Sequence, residues 1–230
     1  MSESQKNFHF FYQKLRIMKT NEFHAAVKYY EEHRNYLLNS NLIKVTMNIK
    51  IIVGSVRQGR IGPQIANWAY NIIKNSDTDI NAEIIDLSLW YLPMDDEPHL
   101  PATGKYLQPH TKLWSEKVAE GEMFIFVFPQ YNWGYPAALK NAVDHLYNEW
   151  KDKPALLISY ANKGGGKASA QFRQVLEGIH MRPLNTVVEI KLSELTFDVQ
   201  GQITCCEVHL ARYNDLINRA VNEALSLFRQ

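Results

Sequence analysis

The sequence has only two cysteines among its 230 residues, and they are adjacent at Cys205 and Cys206. A vicinal pair cannot link distant segments by disulfides, and it cannot supply the spaced thiolates of a structural zinc site. The eight histidines are scattered and lack a His-Glu-x-x-His arrangement, so their spacing predicts no metal site. We therefore expect a reducing, cytoplasmic environment.

Long apolar runs and an excess of either charge are also missing. No stretch approaches the ~20 apolar residues of a membrane helix, and the N-terminus lacks an apolar core followed by a small-residue cleavage site. The 25 basic and 24 acidic residues give a net charge of +1, which provides no global attraction for nucleic acid or anionic lipid. We expect a soluble, untargeted protein that binds neither nucleic acid nor membrane.

The first 46 residues differ in composition from the remainder of the chain. They are rich in polar residues, and only Asn21–Leu38 has a helical pattern of apolar positions. The first strand signal begins at Met47, where a compact domain would naturally start. We predict that residues 1–46 form a partly helical or disordered extension outside a functional domain at 47–230, or that Met47 is the true start.

From Met47 onward, five apolar runs alternate with helical patterns, which is typical of a parallel sheet covered by helices on both faces. The predicted strands are 48–53, 82–87, 123–128, 155–160 and 186–190, and the predicted helices are 63–74, 108–120, 136–150, 168–180 and 207–228. This alternation predicts a doubly wound α/β fold. The stretch Tyr91–Pro109 contains four prolines and is too long for a simple connection, so it is either a functional loop or a dimer-contacting arm.

Ligands of open α/β sheets bind beyond the carboxyl ends of the strands, near the point where the strand order reverses. The loop after the first predicted strand is rich in glycine and arginine and runs into a helix with proline in its first turn. Backbone N–H groups, a hydroxyl and guanidinium groups suit a phosphate. Arg60 and Ile61 replace the Lys-Ser/Thr of a Walker loop, so a mononucleotide phosphate is favoured over a nucleoside triphosphate; an ordinary glycine turn is the alternative. The candidate phosphate-binding residues are Gly54, Ser55, Arg57, Arg60, Ile61 and Gly62.

The loops after the third and fourth predicted strands suit a planar ligand. Tyr131 and Trp133 offer flat walls, while two amide side chains can address ring heteroatoms; aromatic core plugs are the alternative. The glycines of the fourth loop let backbone lie close to a flat surface, although a flexible surface loop is also possible. The candidate ring-binding residues are Pro129, Gln130, Tyr131, Asn132, Trp133, Gly134, Tyr160, Gly164 and Gly165.

These segments together resemble the NAD(P)H-dependent FMN reductase family, and especially its quinone-reductase members. The matching segments are Gly54–Arg57, the long run Pro129–Asp144 and the Gly164-Gly165 turn, in the same order and spacing. The resemblance extends from about Met47 to the C-terminus, and residues 1–46 have no counterpart in it. Many members carry Ser-x-Asn where this sequence has Arg60–Gly62, which leaves the phosphate ligands open at that position.

The resemblance implies a three-layer, flavodoxin-like fold with a five-stranded parallel sheet in the order 2-1-3-4-5. It implies FMN as cofactor, with the phosphate held by Ser55, Arg57 and the Arg60–Gly62 turn. The isoalloxazine ring would lie against Pro129–Trp133 and Gly164-Gly165. A homodimer is also implied, with the partner chain helping to enclose the flavin.

The implied activity is transfer of hydride from NADPH or NADH, through bound FMN, to quinones or similar small acceptors in a ping-pong cycle. The flavin carries the chemistry, so no catalytic side chain is predicted. The alternative is an FMN-binding, redox-sensing interaction module whose reductase activity is incidental. Tight FMN binding without steady-state turnover would favour that alternative.

Overall fold

The computed structural model describes residues 46–76, 79–94 and 96–228. A compact unit begins at Met47. The predicted N-terminal extension, with its helix at 21–38, lies outside the described residues. In the described part of the chain, none of the helices has the length and apolarity that crossing a membrane requires.

Five parallel strands form one sheet in the order β2-β1-β3-β4-β5, which confirms the predicted doubly wound topology. The strand order reverses between β1 and β3, so the loops that follow these two strands diverge from neighbouring positions. This is the edge at which the sequence predicts a ligand site. The strands are β1 (Met47–Val53), β2 (Ile80–Asp86), β3 (Met123–Pro129), β4 (Pro154–Ala161) and β5 (Arg182–Lys191).

Helices cover both faces of the sheet and make two separate cores. One core joins α1 and α6 to one face, and the other joins α2, α3 and α4 to the opposite face. Strand residues alternate between them, because successive side chains of a strand point to opposite sides. The helices are α1 (Gly62–Lys74), α2 (Pro109–Ala119), α3 (Ala137–Asp144), α4 (Gly166–Gly178), α5 (Cys206–Leu210) and α6 (Asn214–Phe228).

The central strand β3 is buried along its whole length. Its three phenylalanines, Phe124, Phe126 and Phe128, face the second core, where Trp150 and Phe172 contact them edge to face. A strand buried on both faces in this way cannot move without opening both cores. It therefore gives the loop that follows it a rigid base.

One predicted helix is shorter in the structure than in the sequence-based prediction. The prediction of a helix over 136–150 is wrong beyond Asp144, where α3 ends, and a short 3₁₀ turn at Asn148–Trp150 follows. Two buried indoles explain the early end: Trp114 Nε1 donates to Ala142 O at 2.7 Å, and Trp150 Nε1 donates to Val143 O at 3.1 Å. They satisfy carbonyls that a longer helix would otherwise use.

The C-terminal helical stretch is interrupted. The prediction of one helix over 207–228 is wrong, because a 3₁₀ turn at Ala211–Tyr213 separates α5 from α6. Asn214 Oδ1 accepts a hydrogen bond from Trp68 Nε1 at 3.0 Å, which fixes the start of α6 against α1. Strand β5 begins four residues before its predicted start, because Pro183 is tolerated on an edge strand.

Candidate functional site

The loop after β1 is shaped to receive an anion. None of the backbone N–H groups from Ser55 to Gln58 has a hydrogen-bond acceptor among the described residues. The loop runs directly into the first turn of α1, which begins at Gly62 with proline next to it and has no side-chain cap. Free N–H groups beside an uncapped helix start carry partial positive charge and suit a phosphate.

Gly62 is required at the end of this loop by close approach. A Cβ atom there would lie 2.6 Å from Ser55 Oγ and 3.0 Å from the Tyr160 hydroxyl. Ser55 is fully buried, and its Oγ accepts a hydrogen bond from the Tyr160 hydroxyl at 3.3 Å. Burial raises the pKa of Tyr160 above its ordinary value, so this phenol stays protonated and links the end of β4 to the loop after β1.

The two arginines of the loop have different surroundings. Arg60 forms an ion pair with Asp86 and donates to Ser88 Oγ at 2.8 Å, so most of its charge is neutralised at the end of β2. Its Nε is buried without a partner in the described part of the chain. Arg57 is exposed, with its guanidinium 5.2 Å from the centre of the Tyr131 ring. It has no carboxylate partner among the described residues, and is the free cation of the loop.

A strained aromatic turn follows β3. Tyr131 and Gly134 exchange two backbone hydrogen bonds of 2.8 and 2.9 Å, and the residues between them, Asn132 and Trp133, have φ angles of 46° and 73°. This is the left-handed conformation that asparagine tolerates, but that costs a tryptophan about 1–2 kcal/mol. Trp133 is nevertheless 64% exposed, with Lys167 Nζ over its ring. The strain holds a flat side chain in solvent, where it adds nothing to the core.

Gln130 connects the aromatic turn to the neighbouring loop. Its Oε1 accepts hydrogen bonds from the backbone N–H groups of Lys167 at 3.1 Å and Ala168 at 3.2 Å, at the start of α4. Two donors on one oxygen fix the orientation of the amide. The NH₂ group of Gln130 is therefore the part of the side chain still free to donate.

The glycines after β4 allow close packing. Gly164 has φ of +84°, and a Cβ on Gly165 would lie 2.4 Å from Ser159 Cβ and 2.8 Å from the backbone nitrogen of Tyr160. The turn thus folds back tightly on β4 before α4 begins. Both glycines are buried in the folded chain.

These loops enclose a cleft of about 350 Å³, here called the main cleft. It brings together six of the residues predicted from the sequence: Arg60, Ile61, Pro129, Gln130, Tyr131 and Tyr160. The other predicted residues are not among those that line it: Gly54, Ser55, Arg57, Gly62, Asn132, Trp133, Gly134, Gly164 and Gly165. No acidic side chain is among the described residues that line it.

The sequence-based prediction missed the side of the main cleft formed after β5. Leu192, Phe197 and Gly201 line it together with Asn162. The chain turns back here, because Phe197 pairs with Ile203. The sequence did contain a turn signal here, the Asp-x-x-Gly pattern that begins at Asp198. In the structure the Asp198 carboxylate accepts hydrogen bonds from backbone N–H groups of this turn.

A second cleft, of about 290 Å³, opens on the other side of the β1 loop. It was not predicted. It lies between the end of β2 and the start of α3, and its wall is mostly apolar. The residues that line it are Val56, Leu87, Ser88, Trp90, Leu92, Ala138 and Asn141.

The groups around the main cleft fit FMN. The unpaired N–H groups and Arg57 match a phosphate, and the absence of a lining carboxylate avoids repulsion. Tyr131 and the exposed Trp133 offer flat faces for a ring, and the Gln130 NH₂ group offers a donor. The fold defines a flavodoxin-like protein, and the groups at the carboxyl edge of its sheet suit a mononucleotide.

A protein family, two related sequences and a solved structure are similar to the chain. The sequence model of the NADPH-dependent FMN reductase family covers residues 47–193. An NAD(P)H-dependent FMN reductase of Schizosaccharomyces pombe is 42% identical over 83% of this chain and 95% of its own length. An NAD(P)H:quinone oxidoreductase of Solanum tuberosum is 33% identical over 54% of this chain and 64% of its own length. The solved structure of FerB, a flavoenzyme NAD(P)H:(acceptor) oxidoreductase from Paracoccus denitrificans, shares the fold with a TM-score of 0.61 at 17% identity, over 78% of this chain and 98% of its own.

The chain belongs to the NADPH-dependent FMN reductase family. The family and the flavodoxin-like fold predicted from the sequence are confirmed. So are the assignments as an oxidoreductase and as a member of a family that uses FMN with NAD(P)H as electron donor.

Proposed function

We propose that this protein transfers hydride from NADPH or NADH, through FMN bound in the main cleft, to quinones or similar small acceptors. The observation that carries the proposal is the contrast within one loop cluster. Unpaired N–H groups and a free Arg57 lie in the loop after β1, and a strained, exposed Trp133 lies in the loop after β3. Neither feature stabilises the fold, so we attribute both to ligand binding.

The residues proposed to hold FMN divide by the part of the cofactor that they would contact. The N–H groups of Ser55–Gln58 and the guanidinium of Arg57 would hold the phosphate. Tyr131 and Trp133 would flank the ring, and the Gly164-Gly165 turn would let the backbone lie close to it. Because Arg60 is paired with Asp86, we assign it mainly to fixing the loop, with its unpartnered Nε as the group that remains for the phosphate.

Bound FMN would supply the redox chemistry, accepting two electrons from NAD(P)H and delivering them to an acceptor. The chain contributes binding, orientation and electrostatics. The Gln130 NH₂ group is a fixed dipole that would stabilise negative charge on a reduced ring. The flat Trp133 side chain, which stands in solvent beside the main cleft, would pack against a bound ring and so help to orient the reactants.

A quinone acceptor is supported by the Solanum tuberosum relative, whose name gives quinone as its substrate. A ping-pong order is supported by the shape of the site. One open face beside the aromatic turn would have to receive first the nicotinamide and then the acceptor. The two substrates would therefore occupy it in succession.

A homodimer is supported by apolar side chains at the surface. Six large ones between positions 89 and 113 are more than half exposed: Leu89, Tyr91, Met94, Leu100, Leu107 and Leu113. Such a concentration along one stretch of chain is typical of an interface. A second copy of this chain is the partner we propose, and light scattering on purified protein gives the mass that tests it.

The activity is tested by visible absorption under anaerobic conditions. Purified protein is loaded with FMN, freed of excess cofactor, and mixed first with NADPH or NADH and then with a soluble benzoquinone. We expect the flavin absorption to bleach on the first addition and to return on the second. Initial rates at several fixed acceptor concentrations should then give parallel double-reciprocal lines, as a ping-pong order requires.

A protein that neither retains FMN nor consumes NAD(P)H would contradict the proposal. The exposed apolar stretch also suits a second candidate function, an FMN-binding module that docks a partner according to redox state. Retention of FMN with reduction by NADPH, but without repeated turnover of any acceptor, would favour that candidate. Rapid steady-state turnover would exclude it.

A further inference from the structure

Three possible metal ligands meet where the proline-rich segment, residues 91–109, lies against α2 and α3. Asp96 belongs to this segment, His110 to the first turn of α2, and His145 follows the last residue of α3. One ligand atom from each residue lies within 4.8 Å of the other two. His110 Nε2 is already 3.0 Å from Asp96 Oδ1. Histidine spacing along the chain predicted no metal site, because only the fold brings these positions together.

The buried histidine of the cluster is held in one tautomer. His145 Nε2 lies 2.9 Å from the carbonyl oxygen of Pro93, and a carbonyl can only accept. Nε2 therefore carries the proton in the neutral ring, and Nδ1 carries the lone pair. The partner of Nδ1 is Thr111 Oγ1 at 3.4 Å, which is a long contact. A histidine whose other nitrogen donates to a backbone carbonyl is the usual form of a metal ligand.

Two imidazoles and one carboxylate suit a divalent transition ion of the zinc class. Bonds of about 2.0–2.2 Å at tetrahedral angles place neighbouring ligand atoms roughly 3.4 Å apart. The His110 and Asp96 atoms nearly meet this already, and the widest pair needs to close by at most about 1.4 Å. Asp96 is the ligand that can adjust most readily, because its side chain is 34% exposed and lies on an irregular segment. The fourth position is left for water.

We propose that Asp96, His110 and His145 bind one zinc-class divalent cation, which clips the proline-rich segment to α2 and α3. The segment is already tied to α3 next to this point, since Asn141 Nδ2 donates to Leu92 O at 2.8 Å. Leu92 and Asn141 both line the second cleft. An ion at the cluster therefore fixes one wall of that cleft. The proposal is independent of the flavin site.

The test is a zinc titration of the full 230-residue chain after removal of metals with EDTA, in competition with a chromophoric chelator. We expect one tightly bound Zn²⁺ per chain and a rise in melting temperature on its addition. Asp96→Ala and His110→Ala should each weaken the affinity by at least about 100-fold, since even the partners of metal ligands contribute up to that factor. The same variants should lose the zinc-dependent rise in melting temperature.

His99→Ala is the matched control, because His99 lies in the same segment, is exposed and is outside the cluster. It should bind Zn²⁺ as the unchanged chain does. Asp96→Asn keeps the size of the side chain and removes its charge, so it serves if the alanine variants unfold. Unchanged zinc affinity in the Asp96 and His110 variants, or the lack of a one-to-one site in the unchanged chain, would overturn the proposal.

Discussion

Charged groups are paired with one another in the amino-terminal half of the sheet, but polar and charged groups are left unpaired at its carboxyl edge. In the amino-terminal half, the buried Lys50 donates to Glu83 at 2.5 Å and to Glu120 at 2.6 Å, and Lys117 contacts both carboxylates. At the carboxyl edge, Arg57 has no carboxylate partner among the described residues, and four loop N–H groups have no acceptor there. Paired charges indicate structure, whereas groups left unpaired indicate a place for a ligand.

The carboxylates of the amino-terminal half are held in their ionised form by neighbouring lysines. Hydrogen bonds from Lys50 and Lys117 lower the pKa of Glu120. Burial alone would raise the pKa of Glu83, but the same two lysines outweigh it and hold that pKa below its ordinary value. Both acids are stabilised as carboxylates by the folded chain itself. The amino-terminal half therefore needs no ligand to balance its charges.

Removing the paired carboxylates of the amino-terminal half should have the largest effect on stability. The double variant Glu83→Gln/Glu120→Gln leaves the ammonium of Lys50 buried without a carboxylate, which costs about 3–5 kcal/mol of unfolding free energy. Urea unfolding of the apoprotein measures it. The FMN affinity of the folded fraction should stay unchanged, because this network lies away from the main cleft. Lys50→Met in the same background removes the buried charge and should restore most of the loss.

The same network predicts acid sensitivity. Because folding lowers the pKa values of Glu83 and Glu120 below the ordinary 4.5, their contribution is complete above that pH and is lost as the pH falls through the folded values. The unfolding free energy, measured from about pH 6 downward, should therefore fall less steeply with decreasing pH in the double variant than in the unchanged chain. Identical slopes would show that these two acids do not act as described.

Removing the unpaired charge at the carboxyl edge should weaken FMN binding and leave the fold intact. Arg57→Ala should weaken FMN retention by roughly 1.5–3 kcal/mol, the typical value of a charge-assisted hydrogen bond. The melting temperature of the apoprotein should change little, since among the described residues Arg57 has no carboxylate partner and its guanidinium lies only beside the Tyr131 ring. Arg182→Ala is the control: Arg182 is also exposed, but forms its ion pair with Asp152 at the other end of the sheet. FMN titration of both variants decides it, and equal affinities would refute the phosphate assignment.

The unpaired edge still depends on close packing at one point. Gly165→Ala would place a methyl group 2.4 Å from Ser159 Cβ and 2.8 Å from the backbone of Tyr160, and we expect a loss of about 1–3 kcal/mol. Gly178→Ala, at the other end of α4, meets nothing within 4 Å and should be neutral or slightly stabilising. Thermal unfolding of the two variants compares them directly. Equal stabilities would mean that the turn after β4 has room to relax.

Much of the fold followed from the sequence, because β1, β3 and β4 are short apolar runs between strong helical patterns. The carboxyl end of α3 and the break before α6 did not follow. They depend on hydrogen bonds from Trp114, Trp150 and Trp68, and two of these, from Trp114 and Trp68, join residues that are distant in sequence. A periodic pattern records which face of a helix is apolar, but it does not record a distant side chain that takes one of its carbonyls.

The site was predictable in its composition and less so in its geometry. The sequence placed Arg57 and Arg60 together as phosphate ligands, and only the end of β2 supplies the Asp86 that separates their roles. The sequence predicted that Gln130 binds a ring, whereas in the structure its Oε1 accepts hydrogen bonds from the start of α4. The wall formed by Phe197 was missed, because no periodic element predicts it. These are contacts between loops, and spacing along one loop cannot show them.

The smallest expected effect has the opposite sign to the others. Trp133 has φ of +73°, so Trp133→Gly removes strain and should raise the unfolding free energy by up to about 1 kcal/mol. The same change removes a flat wall of the proposed slot, so kcat/KM with NADPH should fall. Asn132→Gly is the control, because asparagine already tolerates the left-handed conformation and little strain is released. A variant at Trp133 that gained stability and kept full activity would show that the strain at the carboxyl edge serves neither the fold nor the reaction. A gain in one with a loss in the other would show that this edge sacrifices stability for its ligand.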